Sequence, residues 1–427
     1  MRKYFQDEKV FAKCHILQML EEQLKTPHHS FHTPGHKVSG YDVTELAYSD
    51  NLSCPEGVIL FAERDIAELL GAEKSFILTD GSTSGVLSML YALKMQGIAR
   101  VAAPMLSHKS FFNGCALLGL EPVLFDPPVA VLPCPIAAAD VADALEDADA
   151  LFLTSPDYYG NVAALKEIKA LCKAQGKPLV VDGAHGGHLH DNKELYAGAH
   201  ADMWVDGVHK SLPALTQGAV VSANKEYAAA LKAAVDTFRT SSPSYPIMGS
   251  VEYAVKYPVN DALAERLRTL KRERACFYDS ADYTKLCVFC KDGFALERYA
   301  NEKGIYPEFA QEHLLCFYFS PVQTEEDLLT VLRFVEWAAE EGLILSEKDI
   351  QRAPAPTKLE KVDEKSVELI PLEKAEGRIC AKACGLFPPC LPVLQKGERI
   401  TGEKIRTLQA AARRFGIEKD KITVVAE

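Results

Sequence analysis

No stretch of this 427-residue chain approaches 18 uninterrupted apolar residues, so no membrane-spanning helix is expected. The first residues, Met1-Arg-Lys-Tyr-Phe-Gln-Asp-Glu-Lys9, lack the apolar run of a signal peptide, and a cytoplasmic location is expected. Basic residues are outnumbered, 47 against 59 acidic, for a formal charge of −12. That balance argues against a nucleic-acid binder, which needs a basic surface. Internal repeats and low-complexity tracts are also missing. What is present, 48% apolar and 25% charged residues, is the composition of a globular protein and excludes a disordered or collagen-like chain. At roughly 150 residues each, about two or three domains are expected.

The 12 cysteines are spread from Cys14 to Cys390, and a chain this long needs no disulfide staples. Cys287 and Cys290 have C-x-x-C spacing, and Cys380, Cys384 and Cys390 form a loose group. A zinc site takes about four ligands of matched spacing. Only one C-x-x-C exists, inside the apolar run Leu286-Cys-Val-Phe-Cys290, so these are read as buried thiols and no metal is expected.

Residues 10–24 have helical apolar spacing, and a histidine-rich loop, His28-His-Ser-Phe-His-Thr-Pro-Gly-His36, follows. Strand-like runs then occur at Ser75–Thr79, Arg100–Pro104, Pro122–Phe125, Ala150–Thr154, Pro178–Asp182, Met203–Val205 and Gly218–Ser222. Helical segments such as Gly85–Met95 and Lys109–Leu118 separate them. Short apolar strands between helices indicate an α/β fold with a mainly parallel sheet. Beyond about residue 255, a charged helix over Ala262–Tyr278, strands near 286–290 and 314–319 and a helix over Thr324–Glu341 predict a smaller α+β unit. The expected division is 1–57, an N-terminal helix and leading segment; 58–255, a large domain; 256–349, a small domain; 350–366, a Pro-rich charged linker; and 367–427, a tail domain turning at Phe387-Pro-Pro-Cys-Leu-Pro392.

Three segments carry the chemistry. In Ala201-Asp-Met-Trp-Val-Asp-Gly-Val-His-Lys210 a strand delivers His209 and Lys210 into a loop. A lysine there either snorkels to the surface or serves as a desolvated amine for a Schiff base with an aldehyde cofactor. In Val180-Val-Asp-Gly-Ala-His185 an acidic residue ends an apolar strand, where parallel α/β proteins place ligand contacts. Asp182 is suited to keeping a pyridinium nitrogen protonated, and the small Ala184 lets a flat ring approach. Thr79-Asp-Gly-Ser-Thr-Ser-Gly85 leads from a strand into a helix and reads as a phosphate loop or a plain helix cap. His185, His188 and His190 also have metal-like spacing, but no carboxylate or second cluster accompanies them.

Taken together and in order, these segments resemble the Orn/Lys/Arg decarboxylase family in its short form. The resemblance covers nearly the whole chain. It runs through His32-Thr-Pro-Gly-His-Lys37, Asp42-Val-Thr-Glu45, Asp50-Asn-Leu52, Gly81-Ser-Thr-Ser84 and Ser107-His-Lys109. It continues through Thr154-Ser-Pro-Asp-Tyr-Tyr-Gly160, Asp182-Gly-Ala-His185, His209-Lys210, Thr240-Ser-Ser-Pro-Ser-Tyr245 and Gly397-Glu398. It implies the aspartate-aminotransferase-like fold type I of pyridoxal 5'-phosphate (PLP) enzymes, with a large domain holding the sheet and smaller α+β C-terminal domains. It also implies roles. Lys210 forms the Schiff base, Asp182 meets the ring nitrogen, His108 stacks on one ring face and Ala184 lies on the other. Ser82, Thr83 and His209 lie near the phosphate, and His185 belongs to the Asp182 motif. The implied reaction is decarboxylation of arginine, lysine or ornithine by a cytoplasmic homodimer or higher homo-oligomer, within polyamine biosynthesis. His108 and Lys210 both remain candidates for the proton relay. Glu308, in Gly304-Ile-Tyr-Pro-Glu308, is the candidate for the substrate's distal cation, with Glu398 second.

Two departures stand out. The family usually has serine three residues before the Schiff-base lysine, where this chain has Gly207, and the tail motif has Cys390 in place of a glycine. They motivate a rival reading as a non-catalytic partner-binding relative. Another PLP reaction, transamination or aldol cleavage, is the alternative within the fold.

Overall fold

The computed structural model describes residues 4–37, 41–130, 132–350, 359–360, 362, 366–386, 392–411 and 413–426. Most of the expected linker and the Phe387–Leu391 turn, with Cys390, lie outside the described residues.

The chain opens with two helices, α1 (Glu8–Phe11) and α2 (His15–Lys25), where the apolar spacing predicts one. The break at Cys14 has a physical cause. Helix α2 lacks a side-chain cap of its own, and the buried Glu252 carboxylate accepts from His15 N at 2.8 Å and Ile16 N at 3.0 Å. A carboxylate there satisfies orphan amides and faces the positive end of the helix dipole.

After α3 (Val58–Leu70) come β1 (Lys74–Leu78), α4 (Gly81–Met95), β2 (Arg100–Pro104), α5 (Lys109–Leu118) and β3 (Glu121–Phe125). They continue as α6 (Ala138–Glu146), β4 (Ala150–Thr154), α7 (Leu165–Ala174), β5 (Leu179–Asp182), β6 (Met203–Asp206), α8 (Val208–Ser211), β7 (Ala219–Ala223), α9 (Ala228–Phe238) and α10 (Tyr245–Val255). The seven strands form one sheet in the order β1-β7-β6-β5-β4-β2-β3. Strand β7 pairs antiparallel with both neighbours, and the other pairings are parallel. All residues of β5, β6 and β7 are buried. Helices cover both faces, which is why these strands read as unbroken apolar runs. The C-terminal ends of β1, β5 and β6 therefore share one edge of the sheet.

A second sheet follows, built on α11 (Asp261–Glu273), β8 (Lys285–Phe289), α12 (Gly293–Glu302), β9 (Phe309–Gln311), β10 (Leu314–Tyr318) and α13 (Glu325–Glu340). Its strands are all antiparallel, in the order β8-β10-β9. Helix α11 stops at Glu273, short of the expected Tyr278, because the chain beyond it is captured by a strand. Phe277 bridges Val288, and Tyr278 N donates to Cys287 O at 2.9 Å.

The last elements are β11 (Val367–Pro371), β12 (Cys384–Leu386), β13 (Pro392–Leu394), α14 (Gly402–Ala410), β14 (Arg414–Phe415), β15 (Ile417–Glu418) and β16 (Lys421–Val425). They make two small sheets, β11-β16-β15 and β13-β12-β14. Gln395 Nε2 donates to Met105 O at 2.5 Å, which ties this tail to the segment that carries Ser107 and His108. No helix among the described residues is long and apolar enough to cross a membrane.

Candidate active site

Strand β6 ends at Asp206 and turns at once into α8, so His209 and Lys210 stand on one helical turn where the sequence predicts a loop. Lys210 N donates to Gly207 O at 2.8 Å, and His209 N donates to Gly218 O at 3.1 Å. The turn holds Lys210 Nζ 3.1 Å from His185 Nε2. Tyr158 and Tyr318 pack edge-on against the His185 ring, with centroids at 4.8 and 5.7 Å. Burial pushes His185 well below the ordinary histidine range, and the cations Lys210 and Lys285 push it further. His185 is therefore neutral and can accept from the Lys210 ammonium.

Asp182 closes β5 with 4% of its surface exposed. Burial raises its pKa, opposed by Lys210 and by the Ala184 N–H, which donates to Asp182 Oδ1 at 3.1 Å. A buried carboxyl in that state is stabilised by a proton or a cation brought to its free edge.

His108 is the N-cap of α5. Ser110 N donates to its Nδ1 at 3.2 Å, so Nδ1 is an acceptor and the ring proton sits on Nε2. Burial, then Lys210 and Lys109, pushes His108 down to about 3. His209 is likewise lowered, to about 4, by burial and then Lys210.

Helix α4 starts at Gly81, whose φ of +75° suits a residue without a side chain, and its N-cap Asp80 makes no capping bond. Asp80 Oδ2 instead accepts from Thr240 N at 3.2 Å, which brings the Thr240–Tyr245 segment beside this turn. The first-turn residues Ser82 and Thr83 thus open an uncapped helix N-terminus, the geometry an anion needs. Gly207 lies against this turn. A β-carbon there would stand 2.7 Å from Ala184 O and 3.2 Å from Ser82 Oγ. A serine at 207 would need the backbone to shift, and Ser82 places a hydroxyl in the space it would use.

The residues fit PLP. Among the described residues, Thr79 Oγ1, Thr154 Oγ1, Ser211 Oγ and His185 Nδ1 are buried polar atoms without a hydrogen-bond partner. All four follow or end strands on the edge that carries Asp182 and Lys210. Such a concentration of unsatisfied groups suits a polar ligand.

Glu308 lies at the rim, just before β9. As a residue it is exposed, yet protein around its carboxyl raises its pKa, with Lys210 and then Lys285 opposing. Glu398 is engaged within its own turn, accepting from Gln395 N at 2.9 Å and pairing with Lys404. The three motif histidines take separate partners: His185 meets Lys210, His188 Nε2 meets Asp282 Oδ1 at 2.8 Å, and His190 Nδ1 meets Gly187 O at 2.9 Å. Cys287 faces Cys316 across the sheet, with sulfurs 2.6 Å apart, and not Cys290.

Sequence reasoning missed Asp282 and Lys285, both fully buried beside His185. The available signal was a lysine opening an otherwise apolar strand, Lys285-Leu-Cys-Val-Phe289.

Residues 35–272 match the Orn/Lys/Arg decarboxylase major domain, and residues 342–416 match the Orn/Lys/Arg decarboxylase C-terminal domain. The chain belongs to the Orn/Lys/Arg decarboxylase family. It is similar to the uncharacterized protein YaaO of Bacillus subtilis, 29% identical over 92% of this chain and 93% of that one. It is also similar to an arginine decarboxylase of Bacillus subtilis, 26% identical over 88% and 89%. Among solved structures, the constitutive lysine decarboxylase of E. coli shares the fold with a TM-score of 0.71 at 18% identity, covering 98% of this chain and 82% of that one. The protein is thus a PLP-dependent decarboxylase of fold type I. Gly207 and its neighbours do not remove it from that class.

Proposed function

We propose that this decarboxylase acts on arginine, lysine or ornithine and releases the corresponding amine, as a cytoplasmic homodimer in polyamine biosynthesis. The large, small and tail domains are divided near residues 255, 350 and 366. The supporting observation is the Glu308 carboxyl at the mouth of the site, within electrostatic reach of Lys210.

Lys210 Nζ would be the amine that holds the cofactor, and Asp182 would keep a proton on its ring nitrogen. Ser82, Thr83 and His209 would hold its phosphate with the open amides of α4. His108 and Ala184 would flank its ring. Bound PLP supplies the sink for the electron pair left when CO₂ departs. The proton returned to the α-carbon comes from Lys210 Nζ or from His108 Nε2, the two groups that carry one here. Tyr158, Tyr318 and the buried His185 keep water from that side of the site. A carboxylate at the rim selects for a cationic side chain, since a neutral isostere leaves it unpaired.

The test is a screen of the PLP-loaded protein with the three amino acids, measuring amine and CO₂ against keto acid. Amine with stoichiometric CO₂ from one of them is expected. Keto acid without amine would replace this reading with transamination.

A further inference from the structure

Behind the His185 backbone lies a buried charged cluster that the reaction does not use directly. Lys285 and Asp282 are both 0% exposed. Lys285 Nζ lies 3.1 Å from Asp282 Oδ2, 2.9 Å from Thr284 Oγ1 and 3.5 Å from His185 O. It also stands 4.4 Å from the centroid of Tyr318, its partner across β8 and β10, and Tyr318 packs on the His185 ring. Asp282 Oδ1 accepts from Thr284 N at 2.9 Å and Thr284 Oγ1 at 2.7 Å, and meets His188 Nε2 at 2.8 Å. From α11, Lys271 Nζ donates to Asp282 O at 2.8 Å. The cluster thus joins the small sheet to the His185–His188 turn, with one residue, His185, between Lys285 and Lys210 Nζ.

A buried ion pair is costly to desolvate, and this one supports no exposed surface. Its place against the one amine the chemistry needs suggests what it does. We propose that Lys285 and Asp282 are opposed positioning residues for Lys210: across His185, the buried cation makes Lys210 Nζ release its proton more readily, and the carboxylate limits that effect. The functional meaning rests on Lys210 being the cofactor lysine, but the electrostatic relationship does not.

The other charged groups facing Lys210 are Asp182 from β5 and Glu308 ahead of β9. His108 from α5 and His209 from α8 also face it, and burial keeps both neutral. Burial opposes ionisation of Asp282, yet His188 and Lys285 hold it well below the usual carboxylate range. His188 is itself lowered by burial, against the pull of Asp282, and it meets Asp282 on the Oδ1 side while Lys285 meets Oδ2. Lys271, pushed to about 8 by burial against the pull of Asp282, contacts the backbone side of Asp282.

The test uses variants that change one charge each. In the cofactor-free full-length protein, trace acetylation with acetic anhydride across a pH series, mapped to Lys210, gives the midpoint of its deprotonation. In the PLP-loaded protein, the pH midpoint of the visible band gives the corresponding value with cofactor. Asp282→Asn should lower the midpoint by about half a pH unit or more, and Lys285→Met should raise it by a similar amount. The double variant should return near the starting value. A merely structural role predicts something different: a loosened site hydrates Lys210 and moves both midpoints upward. Shifts of the same sign, or none, overturn the proposal. If Asp282→Asn fails to fold, Lys285→Met is compared with Lys285→Arg. Arginine should leave the midpoint in place, and equal shifts in the two overturn the proposal. Absence of a visible band, with the acetylation midpoints still moving in opposite directions, would instead sink the assignment of Lys210 to the cofactor.

Discussion

Lys210 Nζ and His185 Nε2 meet at 3.1 Å, with the imidazole held neutral by burial. A neutral acceptor this close orients the lysine without trapping it in an ion pair, so the amine can leave for a carbonyl carbon. Borohydride reduction of the PLP-loaded protein, followed by peptide mapping, should place the pyridoxyl label on Lys210. A label on another lysine would remove Lys210 from the centre of the site. Lys210→Ala should lose the label and turnover together.

Asp182 should matter more for rate than for cofactor binding. Its carboxyl is buried, hydrogen-bonded to Ala184 N, and disposed to take up a proton. Asparagine keeps the shape and loses the charge. Asp182→Asn should lower turnover by about 10³-fold or more, an electrostatic cost of roughly 4 kcal/mol or more. PLP binding, followed by absorbance, should persist. Near-normal turnover would mean that another group protonates the ring nitrogen.

Three histidines line one region in the neutral form: His108 at about 3, His209 at about 4 and His185 far down. Unfolded, each would take a proton near pH 6.5. At these groups the unfolded state then binds more protons, so their contribution to stability falls as pH drops below about 6.5, by about 1.4 kcal/mol per pH unit for each histidine. The buried carboxyls Glu63 and Asp206, raised to about 7, and Asp157, raised to about 6, act the other way between pH 6 and 5, so the histidine contribution is read by comparing the pH slope of stability in urea melts of the cofactor-free protein with that of a histidine variant. His108→Gln should reduce that slope by about 1.4 kcal/mol per pH unit. An unchanged slope would show that His108 is protonated in the fold.

Much of this was legible because the central strands are covered on both faces. Arg100–Pro104 and Ala150–Thr154 are apolar runs whose limits are the strand limits. Helix α5 was legible because Gly119, at φ +63°, stops it. The site was legible because its residues sit at strand ends with distinct chemistry. What stayed hidden depends on distant partners. The cap of α2 comes from Glu252, 237 residues beyond His15. Helix α10 is buried on almost every side, so no apolar stripe marks it. Lys285 reads as the polar start of an apolar strand, and its meaning comes from Asp282 together with His185, 100 residues earlier.

A homodimer with a shared site is the assembly we propose. In the single chain Phe31 is 94% exposed and Tyr306 is 79% exposed, which leaves both rings open to a second copy. Thr240 N donates to Asp80 Oδ2 of its own chain, Ser241 and Ser242 just beyond it are exposed, and we propose that this segment reaches the site of the second copy. Two inactive variants, one at Lys210 and one within Ser241–Ser244, should recover part of the activity when their subunits exchange, because one hybrid site is then intact. An active monomer by light scattering at assay concentration would refute the shared site.

Glu308 decides substrate choice if its carboxylate meets the distal cation. Its carboxyl is surrounded by protein at an exposed rim, and Lys210 and Lys285 favour its ionised form against burial. A cationic substrate side chain would complete that arrangement, and a neutral one would leave the carboxylate unpaired. Glu308→Gln should therefore raise KM for the basic amino acid about tenfold or more and leave kcat within a few-fold, since the contact is made equally in ground and transition states. The preference over norleucine should shrink by a similar factor. If KM and that preference both stay unchanged, Glu308 is a rim carboxylate with no part in recognition. Glu398 is a poor substitute in the same subunit, because Lys404 and Gln395 already engage it.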